Sequence, residues 1–140
     1  MGAAAARKVG RERMPRQKVS APGAPAAIGP YSQAIEIDGF VFCSGQLGMD
    51  PATGQLLEGI DSQAERALLN LEAVLAAVDL TFADVAKITI FLSDLANFAA
   101  LNSIYQQHVV EPAPARSTVQ VAALPRGALV EIEAIARRAH

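Results

Sequence analysis

The stretch that decides the fold is AIEIDGFVFCS, residues 34–44. Asp38 and Gly39 stand between two runs that are rich in β-branched and aromatic residues. An Asp-Gly pair in this position is typical of a type I′ turn, because both of its central residues need a positive φ. The sequence therefore predicts an antiparallel hairpin, with one strand over 34–37 and the other over 40–44.

Downstream of the hairpin, the apolar pattern alternates between helical and strand periods. The clearest helix covers 62–78, where apolar residues recur at helical spacing and Asp61 is placed to cap the first turn. The other elements follow from β-branched runs, a second apolar helical face, and proline or glycine punctuation. They are an extended lead-in over 19–30, a turn-rich connection over 45–59, a strand over 85–92, a helix over about 97–108, and strands over 117–124 and 129–137 joined by a turn at 125–127. The order β-β-α-β-α-β-β predicts an α+β domain.

The hairpin strands are apolar on both faces, which bears on the assembly of the protein. The alternating sets are Ile35, Ile37, Phe40 and Phe42 on one side and Ala34, Val41 and Cys43 on the other. Two helices can cover only one face of a sheet. Strands that are apolar on both sides are normally buried on both sides. We therefore expect another subunit to cover the second face, although the pattern does not give the number of subunits.

Composition bounds the class of the protein. A chain of 140 residues with 51% apolar side chains is the size of one ordinary domain. No run approaches the roughly 20 apolar residues that a membrane span needs. The single cysteine, Cys43, has no partner for an internal disulfide, so nothing indicates an oxidising compartment. The cytoplasm is the expected location, and no membrane partner is expected.

Charge is distributed unevenly along the chain, although the formal net charge is only −2. Residues 1–18 carry six Lys or Arg and one Glu, whereas the remainder carries six Lys or Arg and thirteen Asp or Glu. The first segment is rich in Ala, Arg and Gly and has little to bury, which is typical of a disordered arm. The sequence thus predicts a basic arm over 1–18 and one folded domain over 19–140. Because that domain is acidic, nucleic acid is disfavoured as its partner.

The sequence lacks the motifs of the common cofactor and metal sites. The two histidines, His108 and His140, are far apart in the chain, and with Cys43 they form no ligand-spaced cluster. Ser44 lies in Cys-Ser-Gly and not in G-x-S-x-G, and no glycine-rich phosphate loop is present. We therefore expect neither a metal nor a cofactor.

A small set of polar residues at strand ends remains as candidates for chemistry. Arg116 carries a planar fork that can bind a carboxylate at two points, although an arginine in this setting is also typical of a protein surface. Glu131 and Glu133 alternate with apolar residues, so both carboxylates project from one face of the last strand, either into a site or into solvent. Tyr31 offers a hydroxyl that either binds a ligand or anchors its loop.

Four short segments together carry a resemblance to a known family. They are AAIGPYSQ at 26–33, CSGQ at 43–46, PARS at 114–117 and EIEAIA at 131–136. In combination and in this order they resemble the Rid (YjgF) family, and within it the RidA-type enamine/imine deaminases. The resemblance covers residues 22–138, nearly everything beyond the basic arm.

The resemblance implies a chorismate-mutase-like (YjgF-like) α+β fold, with two helices on one face of a mixed sheet. It implies a homotrimer in which three subunits pack sheet against sheet into a central barrel, with the active sites between subunits. The implied activity is hydrolysis of 2-aminoacrylate, 2-iminopropionate and related imines to 2-keto acids and ammonia. In such a site the substrate carboxylate would be held by Arg116. The other residues that the resemblance places at the site are Tyr31, Ser44, Gly45, Asn102, Thr118 and Glu131.

The sequence departs from the family pattern at two places near the expected pocket. Thr118 stands where many relatives carry cysteine. Residues 108–113 lack the aromatic side chains that typical members carry before the Pro-Ala-Arg motif. These departures bear on substrate preference and not on the arginine that would hold the carboxylate.

The expected chemistry fits the residues that the chain offers. An imine carbon is already electrophilic, so water attack needs orientation, which a fixed carboxylate supplies, and a proton acceptor such as Glu131. Three other functions stay open: a trimer that senses 2-keto acids without turnover, RNA cleavage, and a chorismate mutase of the same fold. Retention of Glu131 favours an enzyme over a sensor. The acidic domain and the lack of a histidine pair disfavour RNA cleavage, and the segments PARS and CSGQ fit the Rid family better than a chorismate mutase.

Overall fold

The computed structural model describes residues 15–139, which form six strands, two α-helices and three short 3₁₀ turns. The strands are β1 (Gln17–Val19), β2 (Ala34–Ile37), β3 (Phe40–Leu47), β4 (Val85–Leu92), β5 (Ala115–Gln120) and β6 (Val130–Arg137). The helices are α1 (Ile60–Ala76) and α2 (Phe98–Tyr105), and the 3₁₀ turns are Phe82–Asp84, Leu95–Asn97 and Pro125–Gly127. Neither helix in this range combines the length and the apolar character that crossing a bilayer requires.

The six strands form one sheet in the order β1-β2-β3-β6-β4-β5. β4 and β5 are parallel and are connected through α2, whereas every other neighbouring pair is antiparallel. α1 packs across β3 and β6, and α2 lies against α1. The predicted α+β fold, with two helices on one face of a mixed sheet, is therefore confirmed.

The core lies between the helices and one face of the sheet. Its fully buried members include Leu68, Leu71, Val74 and Leu75 of α1, Ile88, Ile90 and Leu92 of β4, and Val130 and Ile132 of β6. In β4 these buried residues alternate with partly exposed ones, as expected when only one face of a strand is covered by the chain itself. Burial of each such side chain stabilises the fold by about 1.5–3 kcal/mol.

The hairpin at residues 34–44 forms as predicted. Asp38 has a φ of 53° and Gly39 a φ of 81°, which is the positive-φ pair that a type I′ turn requires. β3 continues through Leu47, however, so the connection predicted over 45–59 begins later than expected. The strand is longer because β6 pairs with its distal half, a contact that the local sequence does not reveal.

Both helices differ from the predicted bounds at their ends. α1 begins at Ile60, two residues before the predicted 62–78, and its N-cap is Gly59, which has a φ of 84° and no side-chain cap. The prediction that Asp61 caps this helix is therefore wrong. Asp61 instead lies in the first turn, where a negative charge is stabilised by the positive end of the helix dipole. The second helix is shorter than the predicted 97–108, because a 3₁₀ turn precedes it and it ends three residues earlier.

The later strands agree with the prediction more closely. β4 has the predicted bounds, and β6 begins one residue after the predicted start at 129. β5 is displaced toward the N-terminus relative to the predicted 117–124, since it pairs in parallel with β4 from Ala115 onward. The turn at 125–127 forms, although β4 separates the two strands that it connects in the sheet.

β1 was not predicted as a strand. Its three residues pair with β2, with Gln17 opposite Glu36 and Val19 opposite Ala34. Two of the three were assigned to the basic arm over 1–18. Residues 1–14 of that arm lie outside the described part of the chain.

The second face of the sheet carries large apolar side chains that the described residues do not cover. Phe42 is 45% exposed and Phe40 is 36% exposed, with Val119 at 42%. The opposite face of the same hairpin is buried, with Val41 fully enclosed. Cover of the open face by another subunit remains a prediction.

Candidate active site

Arg116 is held by one face of α2. β5 aligns Arg116 with the buried Ile88 of β4, so its side chain leaves the sheet on the helix-covered face. Nη1 of Arg116 donates a hydrogen bond to Oδ1 of Asn102 at 2.6 Å. The guanidinium carbon lies 4.9 Å from the ring centre of Tyr105 and 5.6 Å from that of Phe98. Arg116 is therefore a cation with fixed neighbours and not a free surface side chain.

A cavity of about 450 Å³ lies beside Arg116. Its walls include Asn102, Tyr105, Val109, Glu111 and Pro114. Thr118, two residues along β5 on the same face, and Tyr105 each carry a buried hydroxyl that has no hydrogen-bond partner among the described residues. Burial raises the pKa of Tyr105, an effect that the charge of Arg116 opposes. A guanidinium with unused donors beside such a cavity suits a small carboxylate.

Glu131 lies on the open face of β6. In the sheet it is opposite Leu47 of β3 and Phe91 of β4. Burial raises the pKa of Glu131 above its ordinary value, and the negative charge of Glu133 raises it further. A carboxylate whose proton affinity is increased in this way suits the role of a proton acceptor.

Gly45 belongs to a β-bulge that makes room for the Glu131 carboxylate. The pairing of β3 with β6 is interrupted between Cys43 and Gln46, where β3 contains one more residue than β6. A Cβ atom at Gly45 would lie only 2.6 Å from Oε2 of Glu131. Glycine therefore allows the carboxylate to rest against the backbone of the bulge, and bulges are frequent beside active sites.

Ser44 and Tyr31 line a second cavity, of about 660 Å³, together with Gly45 and Glu131. The Ser44 hydroxyl donates a hydrogen bond to the backbone oxygen of Ser32 at 2.6 Å. Its proton is thus already used within the chain, while its oxygen remains an acceptor. Tyr31 is 54% exposed and stands at the border of this cavity.

The sequence pattern did not indicate three residues that hold these candidates in place, namely Phe98, Tyr105 and Gln33. Phe98 and Tyr105 are seven residues apart with Asn102 between them, so all three lie on one face of α2. That spacing was interpreted only as an apolar helix face, and nothing in the pattern pointed to Arg116. Gln33 accepts a hydrogen bond from the backbone of Ala21 at 2.6 Å and so fixes the loop before Tyr31. Its place in AAIGPYSQ was the only available signal.

The residues predicted from the sequence fall into two groups that one chain does not bring together. Arg116, Asn102 and Thr118 lie on the helix-covered face, whereas Tyr31, Ser44, Gly45 and Glu131 line the second cavity. Strand register explains the division. Thr118 is aligned with Ile90 and Glu131 with Phe91, and consecutive residues of β4 point to opposite faces. A site that uses both Arg116 and Glu131 would need two copies of the chain.

His108 lies in a third place, three residues after the end of α2. Its Nε2 is 2.9 Å from a carboxylate oxygen of Glu65 and its Nδ1 is 3.1 Å from one of Glu72, both on α1. Burial acts to lower the pKa of His108, but the two carboxylates together raise it above its ordinary value. Across residues 15–139, no group of three or more His, Cys, Asp or Glu side chains is arranged to hold a metal ion.

The chain is thus a small α+β domain that carries a helix-held arginine on one face of its sheet and a half-buried glutamate on the other. The family model described as "Endoribonuclease L-PSP" matches residues 21–138. The chain therefore belongs to this family, which is the Rid (YjgF) family. The resemblance inferred from the four sequence segments is confirmed.

Individual relatives match over nearly the whole domain. The chain is 51% identical over 127 residues to "Protein DfrA" of Myxococcus xanthus, an alignment that covers 89% of this chain and 97% of that protein. It is 50% identical over 122 residues to the Capra hircus protein named 2-iminobutanoate/2-iminopropanoate deaminase, covering 86% of this chain and 89% of that one. Among solved structures, RidA from an Antarctic Psychrobacter species has a TM-score of 0.85 at 46% identity, covering 87% of this chain and 99% of that chain.

Proposed function

We propose that this chain is a hydrolase that deaminates reactive enamine and imine intermediates, such as 2-aminoacrylate and 2-iminopropionate, to 2-keto acids and ammonia. The observation that carries the proposal is the similarity, over nearly the whole domain, to a protein whose name states that activity. The chain also offers the groups that the reaction needs, namely a cation for the substrate carboxylate and an acceptor for a proton of water.

Arg116 is the proposed carboxylate-binding residue. A guanidinium has five N–H donors, and Asn102 occupies one of them. The remaining donors suffice for a two-point contact with a carboxylate, which fixes both the position and the plane of a small substrate. Orientation of this kind accounts for much of the rate in reactions between a bound substrate and water.

Glu131 is the proposed proton acceptor. Water adds to the carbon of the protonated imine as the carboxylate takes one of its protons, so the nitrogen becomes an amine on a tetrahedral carbon. The carboxyl then returns this proton to the amine and the C–N bond breaks to release ammonia. The hydroxyl proton passes to the carboxylate as the hydroxyl oxygen becomes the carbonyl of the 2-keto acid, and this last proton leaves with the ammonia as ammonium. The raised pKa of Glu131 favours both halves of this exchange, because the carboxyl accepts a proton readily and still returns it. The reaction as written consumes only water and includes no cofactor.

We propose that the active site forms between subunits of a homotrimer. Arg116 and Glu131 leave opposite faces of the sheet, so a neighbouring chain has to supply one of them to the site of the other. The exposed Phe40 and Phe42 offer apolar surface for that contact. The number of subunits comes from the resemblance to the Rid family. The cytoplasm is the proposed compartment, because the one cysteine, Cys43, is a free buried thiol.

The description of the family model names an endoribonuclease, which makes RNA cleavage the rival activity. Residues 19–140 carry more acidic than basic side chains, which opposes binding of a polyanion. His108 does not offer a free ring nitrogen for RNA cleavage, because both of its ring nitrogens contact carboxylates of α1. A second rival is a keto-acid sensor without turnover, which would need Arg116 but not a glutamate whose ionised form is disfavoured.

The test is to generate 2-aminoacrylate in the assay with a serine dehydratase and to measure pyruvate formation. Addition of the protein should accelerate the loss of the imine to pyruvate in proportion to its concentration. A rate unchanged by the protein, together with calorimetric binding of 2-oxobutanoate, would identify a sensor. Degradation of a single-stranded RNA without any effect on the imine would identify a nuclease.

A further inference from the structure

One face of α2 is built around a single side chain of β5. Phe98, Asn102 and Tyr105 are spaced by four and three residues, so they follow one another along one side of the helix. All three contact Arg116, one through a hydrogen bond and two through their rings. Asn102 is the only polar member, and it was expected at the site. The two aromatic residues were not.

The rings supply what the hydrogen bond to Asn102 cannot. One hydrogen bond at Nη1 fixes the position of one nitrogen but leaves the guanidinium plane free to turn about it. A cation is attracted to the face of an aromatic ring within about 6 Å of its centre, and both rings meet that limit. Contacts from two rings and one amide together restrict the turn, so the unused donors of Arg116 keep one direction.

Tyr105 contacts Arg116 through its ring and not through its hydroxyl. The side chain is only 7% exposed and is part of the core, so packing holds the ring in place. Its hydroxyl has no hydrogen-bond partner among the described residues. A buried hydroxyl of this kind lowers stability and does not fix the ring.

We propose that Tyr105 and Phe98 are positioning residues that set the plane of the Arg116 fork, with Tyr105 the stronger because it is closer and buried. The inference rests on the proposed function in one respect, which is that Arg116 binds the substrate carboxylate. It adds that the affinity for carboxylates depends on two aromatic rings that do not themselves need to touch the substrate.

The test compares Tyr105→Leu with Tyr105→Phe. The leucine variant removes the ring, so kcat/KM should fall about threefold to thirtyfold, the range that one cation–π contact accounts for, with most of the change in KM. The phenylalanine variant keeps the ring and removes the unpartnered hydroxyl, so it should restore kcat/KM to within about twofold and melt at the same temperature or higher. Phe98→Leu should lie between the two. Ser103→Ala removes an exposed hydroxyl from the same helix and serves as the control.

A second background separates positioning from general damage to the core. In Arg116→Ala there is no fork to orient, so adding Tyr105→Leu should change the residual kcat/KM less than about twofold. An equal loss in both backgrounds would show a merely structural role and overturn the proposal. So would a phenylalanine variant as impaired as the leucine variant, because that result would assign the effect to the hydroxyl.

Failure of the proposed function gives a different pattern. The affinity for 2-oxobutanoate, measured by calorimetry, reports on Arg116 without any turnover. If the wild type binds this keto acid but does not deaminate, the same ordering of variants in Kd still tests the positioning role. If Arg116→Ala binds the keto acid as tightly as the wild type, then the fork does not bind carboxylates and the positioning role falls with it.

Discussion

Arg116 and Glu131 lie on opposite faces of one sheet and in opposite electrostatic situations. Arg116 is a cation whose acceptor and two aromatic neighbours all come from α2, so its surroundings favour its charge. Glu131 is half-buried beside Glu133, and burial and the like charge both raise its pKa, so its surroundings oppose its charge. The first residue is supported by the fold, whereas the second is kept at a cost in stability. This contrast is typical of a binding residue and a proton-transfer residue.

The largest effect is expected from Glu131→Gln. Loss of a proton acceptor lowers kcat by about 10²–10⁴-fold.

The stability of Glu131→Gln should change in the other direction, because an acid whose pKa is raised on folding destabilises the folded state once it ionises. The melting temperature of the variant should therefore equal or exceed that of the wild type, and the difference should grow as the pH rises through the folded pKa of Glu131. Thermal melts between about pH 4 and about pH 8, a range that begins just below the ordinary pKa of 4.5, measure this. A variant that melts well below the wild type at neutral pH would remove the contrast with Arg116.

A somewhat smaller loss is expected from Arg116→Ala. Removing one partner of a buried charge-assisted pair costs about 2–5 kcal/mol, which is a fall of about thirtyfold to several thousandfold in kcat/KM. Arg116→Lys keeps the charge but loses the planar fork, so it should also be badly impaired. The measurement is deamination of 2-iminopropionate, with thermal melts alongside. Near-normal melting of the alanine variant combined with more than about half of the wild-type activity would show that Arg116 is not the carboxylate site.

Mixing the two inactive variants tests whether the two regions meet between subunits. When Arg116→Ala and Glu131→Gln chains assemble together at random, about a quarter of the interfaces join an intact arginine to an intact glutamate. Coexpression should therefore restore activity to about a quarter of the wild-type level. The control pairs Arg116→Ala with the double variant, which cannot form an intact interface and should stay inactive. If tagged copies show that mixed oligomers have formed and activity is still absent, the site does not combine these residues across subunits.

The parts of the fold that were predictable from the sequence depend on local chemistry. Asp38 and Gly39 specify their turn whatever surrounds them, and the helical period of α1 is visible within its own residues. β1 was missed because three residues carry no period and because its strand character comes from pairing with β2. The predicted cap at Asp61 was wrong because Gly59 starts the helix through a positive φ, which a search for side-chain caps does not detect.

The candidate site shows the same limit in another form. The sequence segments pointed to Arg116 and Glu131, but they did not show that the two residues leave opposite faces of the sheet. That division depends on how β5 and β6 pair with β4, and both strands are separated from β4 in the chain by α2. Tyr105 was assigned only to an apolar helix face, because its contact with Arg116 joins α2 to β5 and no local pattern marks such a contact.

The smallest expected effect concerns His108. This residue follows the helix that holds Arg116, and its ring contacts two carboxylates of α1. With both ring nitrogens protonated, His108 can donate to Glu65 and Glu72 together, whereas the neutral ring can donate to only one of them. The folded pKa lies above the ordinary value of 6.5, so this stabilisation is fully present below that value and is lost as the pH rises through the folded pKa. His108→Gln should abolish this pH dependence and lower the melting temperature at pH 6 by about 2–4 °C. In a chain of this size, that shift corresponds to a loss of about 1 kcal/mol in the free energy of unfolding. Glu65→Gln and Glu72→Gln should each remove part of the dependence, while kcat/KM at pH 8 should change less than about twofold in all three variants. Melting curves of the wild type that show no loss of stability between pH 6 and pH 8, relative to His108→Gln, would mean that the imidazole is not charged between these carboxylates.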